Sequence, residues 1–222
     1  MHAATPPRAI IFDLDGTLVD TVPARIDAWV AVFAEAGFPA SREQLGPMIG
    51  MDGRRLAAEV ARAAGTPVDE AATEAIDHRA GVLFDERNRE PQLLEGARAG
   101  LAMLDRAGVT WAIATSSRAE QVAASIAALE LERGPHIVDG SAVEHAKPAP
   151  DLLLLAARQL GVEPGACWYV GDSIWDMRAA VAAGMLPIAV LAGAAVDGAA
   201  LREAGAAVVW RTLDDLRRLG PA

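Results

Sequence analysis

Apolar residues follow two rhythms along this chain. Short runs that are apolar at nearly every position recur at 9–12, 109–114, 167–170, 187–191 and 206–210. Such runs, unlike alternating ones, suit parallel strands buried on both faces. Between them, 97–107, 119–128, 151–160 and 174–183 carry leucine and alanine at helical spacing, with Gly108, Gly161 and Gly184 near the ends of three of them. Strands alternating with helices predict an α/β fold, a Rossmann-like parallel-sheet core whose ligands gather at the carboxyl ends of the strands.

Residues 21–89 break this rhythm. They contain no strand-like run but four amphipathic stretches, at 22–36, 42–49, 54–64 and 69–87. The connections are Gly37-Phe38-Pro39, Gly50-Met51-Asp52-Gly53 and Gly65-Thr66-Pro67, and the chain returns to the first rhythm through Pro91 and Gly96. The expected organisation is a discontinuous core, 1–20 with 90–222, and a small inserted α-helical cap domain, 21–89, lying over the strand ends.

Composition narrows the partners. A chain of 222 residues can bury a proper core, as one large domain or a domain with a modest insertion. A formal charge of −10 repels nucleic acid and anionic membrane surfaces, so neither is expected as a partner. The single cysteine, Cys167, excludes an internal disulfide and a thiolate metal cluster, and the start at 1–8 has no leader pattern. Both point to a cytoplasmic protein; neither bears on the oligomeric state, expected to be a monomer or homodimer. The uncharged stretch 179–196 approaches the length of a membrane span, but Gly184, Pro187 and Gly193 interrupt it. It reads as a helix end, a turn and a buried strand. Four histidines (His2, His78, His136, His145) show no ligand spacing. Of the tryptophans, Trp111 and Trp168 fall in strands and read as core, whereas Trp175 is placed either to wall a site or to pack.

The chemistry lies at the ends of the predicted strands. The first is followed by Asp13-Leu14-Asp15-Gly16-Thr17, the second by Thr115-Ser116-Ser117, and the third by Gly171-Asp172-Ser173-Ile174-Trp175-Asp176. Lys147, the only lysine among twenty basic residues, precedes Pro148 at the start of a helix. A lone ammonium where guanidinium is the habit is a point charge rather than a planar fork. Each segment alone has a plain alternative: turn residues at Asp13 and Asp15, a helix cap at Thr115 to Ser117 or Ser173, a solvated lysine. Converging on one sheet edge, they offer carboxylates for a divalent cation, hydroxyl and amide donors, and one cation, an inventory suited to phosphoryl transfer.

In this order the four segments resemble the motifs of the haloacid dehalogenase-like (HAD) hydrolases, mostly Mg²⁺-dependent phosphatases. The helical insert is similar to the type 1 cap of the phosphoglycolate phosphatase-like and β-phosphoglucomutase-like branch. The resemblance implies that Asp13 is the nucleophile and forms an aspartyl-phosphate. It implies that Asp15 protonates the leaving alcohol and then activates water. Thr115, the Ser116 amide and Lys147 would hold the phosphoryl oxygens. Mg²⁺ would take Asp13, the Asp15 carbonyl and Asp172, with Asp176 in or near the shell. The expected substrate is a small phosphorylated metabolite, phosphoglycolate- or sugar-phosphate-like.

Other readings diverge at particular residues. No dinucleotide or P-loop glycine pattern is present. Asp15 and the acidic fourth motif argue against the metal-free dehalogenases, and a cap without lysine argues against the phosphonate-cleaving members. β-Phosphoglucomutases carry a histidine five residues after the position of Asp20; this chain has Arg25 there, which shifts the balance to hydrolysis with the mutase as alternative. The other alternative, a non-catalytic binding or regulatory protein on the same fold, sits badly with an intact motif set. In the cap, Arg54 and Arg55 are candidates for reading the leaving group, with Arg25 next.

Overall fold

The computed structural model describes residues 6–131 and 135–219. Residues 1–5, which include His2 and part of the segment 1–8 considered above, lie outside them.

Six parallel strands form one sheet in the order β3-β2-β1-β4-β5-β6. They are β1 (Ala9–Phe12), β2 (Thr110–Ala114), β3 (Ile137–Val138), β4 (Cys167–Gly171), β5 (Leu186–Val190) and β6 (Val208–Trp210). The five expected strands are all present, β1 with the expected ends and the other four with ends displaced by one or two residues. β3 was not expected. It is an edge strand of two residues paired to Ile113 and Ala114, too short to make an apolar run.

The uninterrupted apolar character of β1 has a simple cause. Its side chains alternate between two cores. Ile10 and Phe12 pack with Leu101, Leu104, Val122 and Leu129 on one face. Ala9 and Ile11 pack with Leu152, Leu153, Ala156 and Ala180 on the other. The covering helices are α5 (Ala97–Ala107) and α6 (Ala119–Ala128) on the first face, α7 (Asp151–Leu160) and α8 (Ile174–Ala183) on the second. The result is a three-layer α/β fold. The uncharged stretch 179–196 runs from the end of α8 through β5, and no helix among the described residues is long and apolar enough to cross a membrane.

Residues 22–87 contribute helices only: α1 (Val22–Glu35), α2 (Arg42–Leu45), α3 (Gly53–Ala63) and α4 (Glu70–Arg87). The expected helix 42–49 stops at Leu45 and gives way to a 3₁₀ turn, Gly46–Met48. Pro47 has no N–H, and its ring would clash with a carbonyl one turn back in a continued α-helix. These helices bury an apolar cluster of their own, in which Trp29 stacks on Phe33 with ring centroids 5.3 Å apart. The chain leaves for this segment and returns from it side by side, with Asp20 N donating to Gln92 O (2.8 Å) and Leu94 N to Leu18 O (3.0 Å).

The helical segment also touches the sheet domain. Trp175 Nε1 donates to Pro47 O (3.1 Å), with Arg55 and Arg178 on its ring. Trp175 therefore packs between the two clusters and does not wall the cleft. Asn88, just past α4, meets Ser125 of α6 through a buried hydrogen bond of 3.4 Å.

The order of the strands fixes where a ligand can sit. The chain moves outward from β1 to β2 and β3, then crosses back to β4 on the other side of β1. The loops after β1 and β4 part at that switch, leaving a crevice at the carboxyl edge.

Candidate active site

Asp13 follows β1 directly, its N–H held by Val170 O of β4 (2.8 Å). Its carboxylate accepts from Lys147 Nζ at 2.5 Å, and Lys147 also reaches Asp176 Oδ1 at 2.7 Å. Both lysine partners are buried, as is the lysine. Asp176 is held on every side. Its Oδ1 accepts from Tyr169 OH (2.9 Å), and its Oδ2 from Ser173 N (3.0 Å) and Ser173 Oγ (2.5 Å). Ser173 is also the N-cap of α8, so the plain alternative for this residue holds together with the functional one. Asp172, the last of the set, accepts from Thr17 Oγ1 (3.0 Å).

Carboxylate oxygens of Asp13, Asp172 and Asp176 lie within 4.8 Å of one another, all buried. Gly16 is essential to this approach. It has φ +84°, and a Cβ there would meet the Asp172 carboxylate.

Three buried carboxylates share a single ammonium. Burial pushes Asp13 up to about 7, against the pull of Lys147, with Asp176 and Asp15 adding to the rise. Burial, then the Asp176 and Asp13 charges, push Asp172 well above the carboxylate range. Burial acts the same way on Asp176, but Lys147 and the Ser173 donors overcome it and hold this group low. The same carboxylates raise Lys147 against its own burial.

The signs give a test on metal-free protein. A carboxyl whose folded pKa is raised stabilises below its unfolded value near 4 and loses that contribution as pH climbs through about 7. The melting temperature of the metal-free protein is therefore expected to fall between about pH 5 and pH 8. Asp13→Asn should flatten that slope; an unchanged slope would remove Asp13 as its source.

Asp15 goes elsewhere. The chain bends after β1, so the carboxylates of Asp13 and Asp15 have different partners. Asp15 Oδ2 accepts from Ser117 Oγ (2.7 Å) and from Arg25 Nη2 (3.3 Å), and the same Nη2 donates to Ser117 Oγ (3.0 Å). The Arg25 guanidinium lies 3.6 Å over the Phe84 ring of α4. Arg25 is thus not a surface arginine, since it joins the helical segment to the loops after β1 and β2.

Thr115 and Ser116 end β2 beside this pair. Thr115 Oγ1 accepts from Ser117 N (3.1 Å), whereas Ser116 Oγ is buried without a protein partner. A buried hydroxyl left without a partner in a cleft is a donor for a ligand. Asp13, Asp15, Arg25, Thr115, Ser116, Ser117, Lys147, Asp172 and Asp176 line one cleft of about 200 Å³, a size that suits a small metabolite. Arg54 lines it too; Arg55 does not, being turned to Trp175.

Several participants were not anticipated: Thr17, Ser117, Tyr169, Asp77 and Arg118. Tyr169 carried a signal, as the one tyrosine of the chain in a strand leading to Gly171-Asp172. Ser117 closes the Thr-Ser-Ser run. Asp77 and Arg118 carried none, because helix surfaces are full of such residues.

A family model described as haloacid dehalogenase-like hydrolase matches residues 7–184. A phosphoglycolate phosphatase of Xanthomonas campestris is 34% identical over 192 residues, 84% of each chain. An N-acetylmuramic acid 6-phosphate phosphatase of Pseudomonas aeruginosa is 31% identical over 192 residues, covering 84% of this chain and 82% of its own. The crystal structure of a hydrolase from Pseudomonas syringae superimposes with a TM-score of 0.89 at 31% identity, covering 95% of this chain and 96% of that one.

Proposed function

Since the chain belongs to the haloacid dehalogenase-like hydrolases, we propose that it is a phosphatase that releases phosphate from a small phosphorylated metabolite through an aspartyl-phosphate on Asp13. The observation that carries this reading is the contact of buried Asp13 with Lys147 at 2.5 Å at the floor of a small cleft. Relatives named phosphoglycolate phosphatase and N-acetylmuramic acid 6-phosphate phosphatase support phosphate esters as the substrate class. Residues 1–20 with 90–222 form the catalytic core in this reading, and 21–89 the cap.

The donor set fits a hard divalent cation, Mg²⁺. Hard oxygens cluster within 4.8 Å, and one ammonium leaves them short of positive charge. Asp13, Asp172 and the Asp15 carbonyl would hold the ion, with Asp176 beside it, since both Asp176 oxygens are engaged by protein donors. Bound there, Mg²⁺ supplies charge that lets an anionic nucleophile and an anionic ester come together.

Asp13 attacks phosphorus in line, and the P–O bond to the leaving alcohol breaks. Lys147 and the donors at Thr115 and Ser116 offset charge on the phosphoryl oxygens. Asp15, protonated, gives its proton to the departing oxygen. As carboxylate it then takes a proton from the water that hydrolyses the acyl phosphate. Arg25 and Ser117 hold the Asp15 carboxyl in position for both transfers. Phosphate release from p-nitrophenyl phosphate, abolished by chelator and restored by Mg²⁺ but not by Ca²⁺, tests the reading. Ca²⁺ accepts looser geometry and more ligands than in-line attack tolerates. Full turnover in chelator would sink it.

Arg25 is the residue by which this reading prefers hydrolase over mutase, and it yields its own expectation. Arg25→Ala should lower kcat by about ten- to a hundredfold, the worth of a charge-assisted hydrogen bond of roughly 1.5–3 kcal/mol, at ~1.4 kcal/mol per decade. KM should change less, because the lost contact is to Asp15 rather than to substrate. A rise in KM with kcat intact would instead assign Arg25 to ester binding.

A further inference from the structure

The cleft has an outer rim, away from the buried carboxylates, that none of the steps above uses. Its charged groups form a ladder across the cap and the start of α6. Asp52 Oδ2 lies 3.8 Å from Arg54, and Arg54 lies 3.8 Å from Glu74. Glu74 faces Arg118 at 3.4 Å, and Arg118 faces Asp77 at 3.6 Å. Three acids thus hold two arginines. The remaining cleft arginine, Arg25, is engaged by Asp15. Glu144 adds another acidic group to the lining from the core side.

Arg54 and Glu74 of this ladder are exposed, but its two aspartates, Asp52 and Asp77, have fixed places in the fold. Gly53 has no side chain where the Asp77 carboxylate lies, and a Cβ there would collide with Asp77 Oδ1. Gly81 likewise admits the Gln121 amide of α6 against α4, since a Cβ there would come within 2.8 Å of it. Asp52 is fixed as the N-cap of α3, accepting from Arg55 N at 3.0 Å. Asp77 is half-buried, and burial raises its pKa although Arg118 opposes this.

A leaving group that carries a carboxylate would need a cation at this rim. Every arginine lining the cleft already faces a carboxylate, and the rim is acidic on balance. Carboxylates are instead strong acceptors for alcohol O–H groups, and a pair of them can take neighbouring hydroxyls. A site built to hydrogen-bond hydroxyls rejects an analogue that lacks them, because its buried polar groups are then left unpartnered.

We propose that Asp52 and Asp77 select phosphate esters whose leaving group is a neutral polyhydroxylated alcohol, and select against those bearing a carboxylate. This inference rests on the phosphatase reading and narrows it from two ester classes to one. It also removes Arg54 as a receptor for a substrate carboxylate.

The test compares kcat/KM of the Mg²⁺-loaded enzyme for glucose 6-phosphate and ribose 5-phosphate with that for 2-phosphoglycolate. A preference of at least about tenfold for the better polyol ester is expected, the scale of one charge-assisted contact. Asp52→Asn combined with Asp77→Asn should shrink that ratio about tenfold or more, since the amides relieve the repulsion and accept hydroxyl protons less well. Preference for 2-phosphoglycolate in the unaltered enzyme, or a ratio that the paired substitution leaves in place, overturns the inference while the phosphatase reading stands. No phosphate release from any ester, p-nitrophenyl phosphate included, overturns the phosphatase reading. The selectivity is then decided by calorimetric binding of the same three esters to Asp13→Asn. Tighter binding of the polyol esters upholds it, and tighter binding of 2-phosphoglycolate refutes it.

Discussion

Asp13→Asn is expected to lower turnover by at least about a thousandfold, some 4 kcal/mol of transition-state free energy, while leaving the protein folded. The amide has nearly the shape of the carboxylate but cannot attack phosphorus at a useful rate. Among the described residues no other carboxylate is placed to replace it. Asp172 is held by Thr17, Asp176 by Ser173, Tyr169 and Lys147, and Asp15 by Ser117 and Arg25. Stability should not suffer, because the substitution removes one of three crowded buried charges. Above about pH 7, where Asp13 would be ionised, the metal-free variant should melt at or above the temperature of the unaltered protein. Phosphate release and thermal melts on one preparation check both halves. Activity of more than a few per cent, with deamidation excluded by mass spectrometry, would sink the covalent mechanism.

The second large effect is at Lys147, where activity and stability should fall together. Lys147→Met keeps most of the side-chain volume and removes the charge. Asp13 and Asp176 then lose the ammonium at 2.5 and 2.7 Å, and the buried cluster has no cation of its own. Breaking a buried ion pair by deleting one partner costs roughly 3–5 kcal/mol. At about 2–4 °C per kcal/mol for a chain of this size, the melting temperature should drop by roughly 6–20 °C. The loss should be largest near pH 8 and smaller near pH 5, because Asp13, pushed up to about 7 by burial, is protonated there and needs no counter-charge. Part of the loss persists near pH 5, because Asp176, which Lys147 and the Ser173 donors hold low in the unaltered protein, is charged there and loses its ammonium. A pH-independent loss of melting temperature would mean that packing, not charge, is what the lysine supplies. Lys147→Arg should rescue neither property fully, since a planar guanidinium cannot place one point charge between two buried carboxylates.

Much of this molecule follows from local pattern. The five longer strands were legible because a strand between two helical layers is apolar at every position, as Ile10, Ile11 and Phe12 are. Helices α5 to α8 were legible to the residue, because α5, α7 and α8 end on Gly108, Gly161 and Gly184 in the left-handed conformation. β3 was not legible. Two residues carry no period, and they become a strand only because β2 offers an edge to pair with.

The site divides in the same way. Asp13, Lys147, Asp172 and Asp176 follow from the rule that parallel strands aim their carboxyl ends at one edge, and they meet there. What the sequence determined by itself was the five longer strands, the helices alternating with them and the polar groups at the strand ends, all properties set by neighbours a few residues away. The tertiary structure alone decided which groups face each other once the helical segment lies over that edge. Arg25 meets Asp15 ten residues away and Ser117 ninety-two residues away. Arg118 meets Glu74 and Asp77 across the same junction. The angle between the two packed clusters sets these pairings, through contacts such as Trp175 on Pro47. No periodicity along the chain encodes that angle, because it results from the fit of two separately formed surfaces.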